Sequence, residues 1–150
     1  MSAKELINDF VSQKNLAIIG VSRNEKKFGN YICKELKKKG YSMFPIHPNL
    51  EEYDGLRCYE SLDRLPEPID GIILNIPPDK AKETISDVAK KGIKRVWLQQ
   101  GSSNDQVVKA CETNELQFIQ NECIIMYAEP VESFHKFHRF IWKLIGKYKK

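Results

Sequence analysis

No hydrophobic run in the 150-residue chain is long enough to cross a bilayer, so a membrane-spanning helix is not expected. The N-terminus, MSAKELINDF, has no signal-peptide shape, and the chain reads as cytoplasmic. Four cysteines stand at 33, 58, 111 and 123, with no C-x-x-C pair among them. Without a secretory context they read as reduced thiols, and no zinc site is expected. Three glycine motifs are also missing. There is no G-x-G-x-x-G, which a nicotinamide dinucleotide site wants, no G-x4-G-K-[ST] P-loop, and no G-x-S-x-G nucleophile elbow. Internal repeats, low-complexity segments and linkers are lacking, and no acid–base or nucleophile set stands out.

What is present suits one globular domain with a proper core: 41% hydrophobic and 29% charged residues over 150 positions. The net charge of +4 is unevenly placed. From Glu132 onward six basic residues (Lys136, Arg139, Lys143, Lys147, Lys149 and Lys150) face one acid, which gives +5 and leaves −1 for the rest. A broad nucleic-acid-binding face is therefore not expected. The tail, SFHKFHRFIWKLIGKYKK, reads as a basic amphipathic helix with Phe134, Phe137, Ile141 and Leu144 on one stripe and Trp142 nearly opposite. Such a helix packs on its own domain, forms a homodimer contact, or binds an anionic membrane surface or nucleic acid. His135 and His138 are three apart on it, but a third metal ligand is not evident.

Along the body, apolar strands alternate with helical patterns. Helix is expected over 3–14, from about Gly29 to a cap at Gly40, from Pro78 or Asp79 to Gly92, and over 104–115. Strands are expected over 16–21, 41–46, 71–76, 95–98 and 116–119, with 49–68 irregular. These strands are apolar throughout rather than alternating, the pattern of a parallel sheet covered on both faces. The expected fold is a single doubly wound α/β domain with a mostly parallel, five-stranded, Rossmann-like sheet.

In open parallel sheets the ligand crevice lies beyond the carboxyl ends of the strands. Four loops fall there: Gly20–Gly29, His47–Leu50, Pro77–Asp79 and Gln99–Ser103. The first is the most telling. A buried strand opens through Gly20 into a loop carrying Ser22, Arg23, Lys26 and Lys27, and a helix follows at once. A helix N-terminus presents free N–H groups and partial positive charge, which suits a phosphate. The second strand ends in Pro45-Ile46-His47-Pro48, with no acid before Glu51 to hold ribose hydroxyls.

GVSRNEKKFGN after the first strand, FPIHPN at the second, RCYESLDRLPEPID before the third, the Pro77–Pro78 pair after it, and VWLQQG at the fourth occur in one order. Together they resemble the small stand-alone CoA-binding proteins, which are similar to the N-terminal CoA-binding domain of the succinyl-CoA synthetase α subunit. The resemblance covers roughly residues 12–126. It implies a Rossmann-like domain over 1–130, followed by the tail helix over 131–150, with CoA or an acyl-CoA in an extended groove above the strand ends. By position, Gly20, Ser22, Arg23, Lys27, Gly29 and Asn30 would hold phosphates. Pro48 would lie near the adenosine, Pro77 and Pro78 would flank the pantetheine, and Gln100 and Gly101 would line the far wall. Where the family commonly has Asn before the second-strand proline, this chain has His47. The leading expectation is a small-molecule binding module without catalysis of its own. Two alternatives stand beside it: a redox or acyl-transfer enzyme using Cys123, and an NAD(H)-sensing regulatory domain.

Overall fold

The computed structural model describes residues 1–66 and 68–130. The expected tail helix over 131–150, its homodimer contact and the His135–His138 pair lie outside the described residues. Helix α1 (Ala3–Val11) opens with a capping box: Ser2 Oγ accepts the Glu5 N–H at 3.1 Å, and Glu5 Oε1 accepts the Ser2 N–H at 3.0 Å. It ends three residues earlier than the periodicity suggests, at the Ser12 cap. Strand β1 (Asn15–Ile19) follows, then α2 (Phe28–Lys38) and β2 (Ser42–Ile46).

The connection after β2 was expected to be irregular, and it is more ordered than that. It carries a hairpin of β3 (Glu52–Tyr53) and β4 (Leu56–Arg57), then a 3₁₀ turn over Leu62–Arg64. The hairpin turns on Asp54 and Gly55, at φ of 52° and 76°. Those left-handed conformations match strand twist in a two-residue turn, and Asp-Gly favours them. The chain then forms β5 (Gly71–Leu74), α3 (Pro78–Lys91), β6 (Arg95–Leu98), α4 (Asp105–Thr113) and β7 (Gln117–Gln120). Proline at the first position of α3 and left-handed Gly92 at its end behave as the sequence suggests. A 3₁₀ turn, Ile124–Met126, closes the described chain.

Five strands pair in parallel in the order β2-β1-β5-β6-β7. Successive side chains alternate between two cores. Leu16, Ile18, Ile73, Trp97 and Ile119 pack with Ile7 and Phe10 of α1 and Ile32 and Leu36 of α2. Ala17, Ile72, Leu74, Val96 and Leu98 pack with Ile85 and Val88 of α3 and Val107 of α4. Both faces are thus covered, which is why the strands read as continuous apolar runs. Trp97 centres the first core, edge-on to Phe10 at 5.3 Å between ring centroids.

The strand order places the site. After β1 the chain moves outward through α2 to β2, then returns past β1 to β5. The connections leave β1 and β5 in opposite directions, so a crevice opens between their carboxyl ends. Strands β1 and β5 stop at Ile19 and Leu74, two residues before the apolar runs end, where the backbone turns to form its walls.

Candidate functional site

Two glycines let the crevice close tightly. Gly20 sits at φ 138°, and a Cβ there would come within 2.6 Å of the Asn75 carbonyl oxygen. A Cβ on Gly29 would lie 2.6 Å from the Gly20 carbonyl carbon. The N-terminus of α2 therefore rests directly on the backbone leaving β1. This contact takes the place of a G-x-G-x-x-G turn, with the helix brought in eight residues later.

Asn30 fixes the loop between the two glycines. Its side chain is fully buried, so both its polar ends need partners. Its Oδ1 accepts the Ser22 N–H at 2.8 Å and its Nδ2 donates to the Ser22 carbonyl at 2.7 Å. Asn30 thus serves the loop from beneath. Asn24 shapes the outer turn: its N–H donates to Ser22 Oγ, and its Oδ1 accepts the Lys26 N–H. Lys27 occupies the N-cap of α2 with no side-chain cap bond, leaving the first helical N–H groups open. Arg23 Nη2 donates to the Asn49 carbonyl at 3.2 Å, tying this loop to the end of β2.

His47 replaces the expected Asn without losing its bond. Its Nδ1 accepts the Asn49 N–H at 3.0 Å, closing a tight turn around Pro48. An Asn carbonyl would accept the same N–H in an Asx turn. With Nδ1 an acceptor, neutral His47 carries its proton on Nε2. Partial burial, followed by repulsion from Arg23, lowers its pKa and favours that neutral form.

A cavity of about 480 Å³ occupies the crevice, within the range of small-molecule sites. Of the residues expected to hold a ligand, Gly20, Ser22, Lys27 and Pro48 line it. Phe28, His47, Asn75 and Ile76 line it as well. Gly29 and Asn30 are buried beside the loop, and Arg23 braces it from outside. Pro77 and Pro78 follow the cavity wall at Ile76 and begin α3. Gln100 and exposed Gly101 belong to the next strand end, which Ser102 joins to this one by accepting the Ile76 N–H at 3.0 Å. Phe28 and Asn75 are the residues sequence reasoning missed. Asn75 had a signal, a lone amide in the apolar run GIILNI. Phe28 had no signal of its own; it is 46% exposed and stacks on Tyr31 at 5.6 Å between ring centroids.

The four cysteines divide sharply. Burial pushes the Cys33 and Cys111 thiols up to about 12 and raises Cys58 as well. Cys123 is only half-buried. It is held between two bonds at the carboxyl end of β6: Trp97 Nε1 donates to the Glu122 carbonyl, and the Ile124 N–H donates to Gln99 Oε1. Among the described residues no group of three His, Cys, Asp or Glu side chains could hold a metal ion. No described helix is long and apolar enough to cross a membrane.

Residues 14–129 match the family described as CoA binding domain. The chain belongs to that family. In this CoA-binding domain the matched span includes every strand of the sheet and all four strand-end loops. It is 30% identical over 94 residues to the α subunit of an ADP-forming acetate–CoA ligase from Pyrococcus furiosus, covering 62% of this chain and 21% of that subunit. The chain thus spans about a fifth of that relative's length. A solved conserved hypothetical protein from P. furiosus is 31% identical with a TM-score of 0.73, covering 76% of this chain and 98% of that one. Another, from Pyrococcus horikoshii, is 28% identical with a TM-score of 0.77, covering 84% and 89%.

Proposed function

We propose that this domain holds CoA or an acyl-CoA in the groove above the β1 and β5 strand ends and catalyses no reaction of its own. The observation that carries the reading is the cavity at the switch point, backed by an uncapped helix N-terminus. CoA brings a diphosphate, and the open N–H groups of α2, with Lys27 and Arg23 beside them, suit it. Pantetheine would run past Asn75, Ile76 and Pro77 toward Gln100 and Gly101. That path ends near Cys123, so a bound thiol or thioester would approach the most accessible cysteine. A nicotinamide dinucleotide fits less well, because the turn at the end of β2 offers neutral His47 where such a site places a carboxylate.

Thermal denaturation with CoA, acetyl-CoA, NAD and ATP tests the reading. A ligand at 100 times its dissociation constant stabilises by about 2.7 kcal/mol. For a domain of this size that is a rise of roughly 5–10 °C. CoA or its thioester should raise the melting temperature most. No rise with either at millimolar concentration would refute the proposal, and a larger rise with NAD would favour a dinucleotide sensor.

A further inference from the structure

Among the described residues four large apolar side chains stand in solvent, and three of them lie on two elements that pack together. Phe28 and Tyr31 stack on each other at the N-terminal end of α2. Met126, 54% exposed, sits on the 3₁₀ turn that packs against that helix. Apolar side chains gathered in this way mark a contact surface, whereas single ones scattered over a surface need no explanation. The course of the chain brings an occupant to the same face. Tyr127 and Ala128 are buried, and Tyr127 rests against Trp97 at 6.1 Å between ring centroids. Glu129 lies beside the Tyr41 hydroxyl and Lys39, just past the C-terminal end of α2. The Tyr41 hydroxyl also donates to the Val11 carbonyl at 2.6 Å, so the exit point lies between the C-terminal ends of α1 and α2. Residues 131–150 continue from there. Their apolar stripe, Phe134, Phe137, Ile141 and Leu144, has the 3-4-3 spacing of a narrow helical seam. It spans eleven residues, as α2 does, and as a helix either is about 16 Å long.

We propose that the patch formed by Phe28, Tyr31 and Met126 is the docking surface for the chain's own 131–150 segment. Leaving the Tyr41 corner as a helix antiparallel to α2, the segment lays Phe134 to Leu144 along the seam between α2 and the 3₁₀ turn. Its C-terminal end then reaches Phe28, which lines the crevice, so the docked segment covers the crevice's outer wall. The α2 lysines that would repel a basic helix already have carboxylate partners: Lys34 pairs with Glu25, Lys37 with Asp54 and Lys38 with Glu35. A second folded copy is the poorer occupant. A standard interface takes roughly 20–30 residues a side, and a patch on two short elements offers far less. A segment tethered a few residues away needs no such area, because its effective concentration at the patch is about millimolar. The inference does not depend on what the crevice holds.

The three methionines read out the docking in the full chain. Met1 is exposed, Met43 is buried in the core, and Met126 belongs to the patch. Peroxide converts accessible methionine to the sulfoxide, and peptide mass spectrometry gives a rate for each position. With the patch covered, Met126 should react about tenfold more slowly than Met1, as for a site open a tenth of the time. In Phe137→Asp/Ile141→Asp it should react as fast as Met1, while Met43 stays protected and so reports an intact fold. If Met43 reacts in that variant, Leu144→Asp gives the same reading with a single charge. Met126 as reactive as Met1 in the wild type would overturn the proposal. So would a Met126 still protected in a folded variant, because something other than the stripe would then cover it. Protection lost on dilution, with a dimer seen by sedimentation, would assign the patch to a second copy and overturn it likewise.

Discussion

Gly29→Ala probes the contact that brings α2 onto β1. Gly29 is buried and does not have the positive φ that disfavours a side chain, so alanine is penalised only by what its methyl meets. That neighbour is backbone: the Gly20 carbonyl carbon would be 2.6 Å from the new Cβ, against roughly 3.5–4.0 Å for carbon atoms at rest. The helix end must withdraw by about 1 Å. Overpacking of this kind costs about 1–3 kcal/mol, and alanine's better helix propensity returns at most about 1 kcal/mol. The net loss should be about 1–2 kcal/mol, which lowers the melting temperature by roughly 2–8 °C. The same withdrawal carries the open N–H groups of α2 away from a bound phosphate, so CoA affinity should fall about tenfold, one charge-assisted bond. Gly92→Ala is the control. Nothing lies within 4 Å of a Cβ there, but φ is +88°. It should destabilise by about 1 kcal/mol through backbone strain alone and leave CoA affinity untouched. Melting curves and titration calorimetry on the two variants decide the matter. A Gly29→Ala protein with unchanged melting temperature and affinity would refute the close-packing argument.

Asn30→Asp replaces the amide that donates to the Ser22 carbonyl with an acceptor in a fully buried position, and it should cost about 3 kcal/mol by denaturant titration. His47→Asn should preserve the Pro48 turn and change stability by less than about 0.5 kcal/mol at neutral pH. Because the His47 pKa is lowered on folding, its contribution is complete above the unfolded value, near 6.5, and is lost as pH falls through the folded value. Wild-type stability should therefore fall across that acid window more steeply than that of His47→Asn, and superimposable pH profiles would count against the assignment. An aromatic disulfide reagent should titrate one fast thiol in the native protein, absent from Cys123→Ser, since burial holds the other three as thiols. Bound CoA should slow that reaction, and no protection would place the thiol end of the ligand away from Cys123.

Much of this domain was legible from local pattern. Apolar strands without alternation can be satisfied only between two layers of helix, and the caps at Pro78 and Gly92 act through their own backbones, so neither needed tertiary context. The DG turn at Asp54 was equally local, and only its placement in a Pro-bounded stretch made 49–68 look irregular. Strand-end logic pointed to the edge where the cavity above β1 and β5 lies, because a parallel sheet gives all its carboxyl ends to one edge. What each residue does there depended on three-dimensional packing. Asn30 reads in sequence as a ligand contact, and only its burial under Ser22 shows that its side chain holds the loop from beneath. Gly20 and Gly29 read as glycines that let a ligand approach, and the folded chain shows that they also let one backbone rest on another. Sequence by itself determined which elements form and at which end of the sheet the four loops gather, because those follow from periodicity and backbone chemistry. Tertiary structure alone decided which polar groups remain free for a ligand, because a hydrogen bond is assigned only once its partner has been brought within reach.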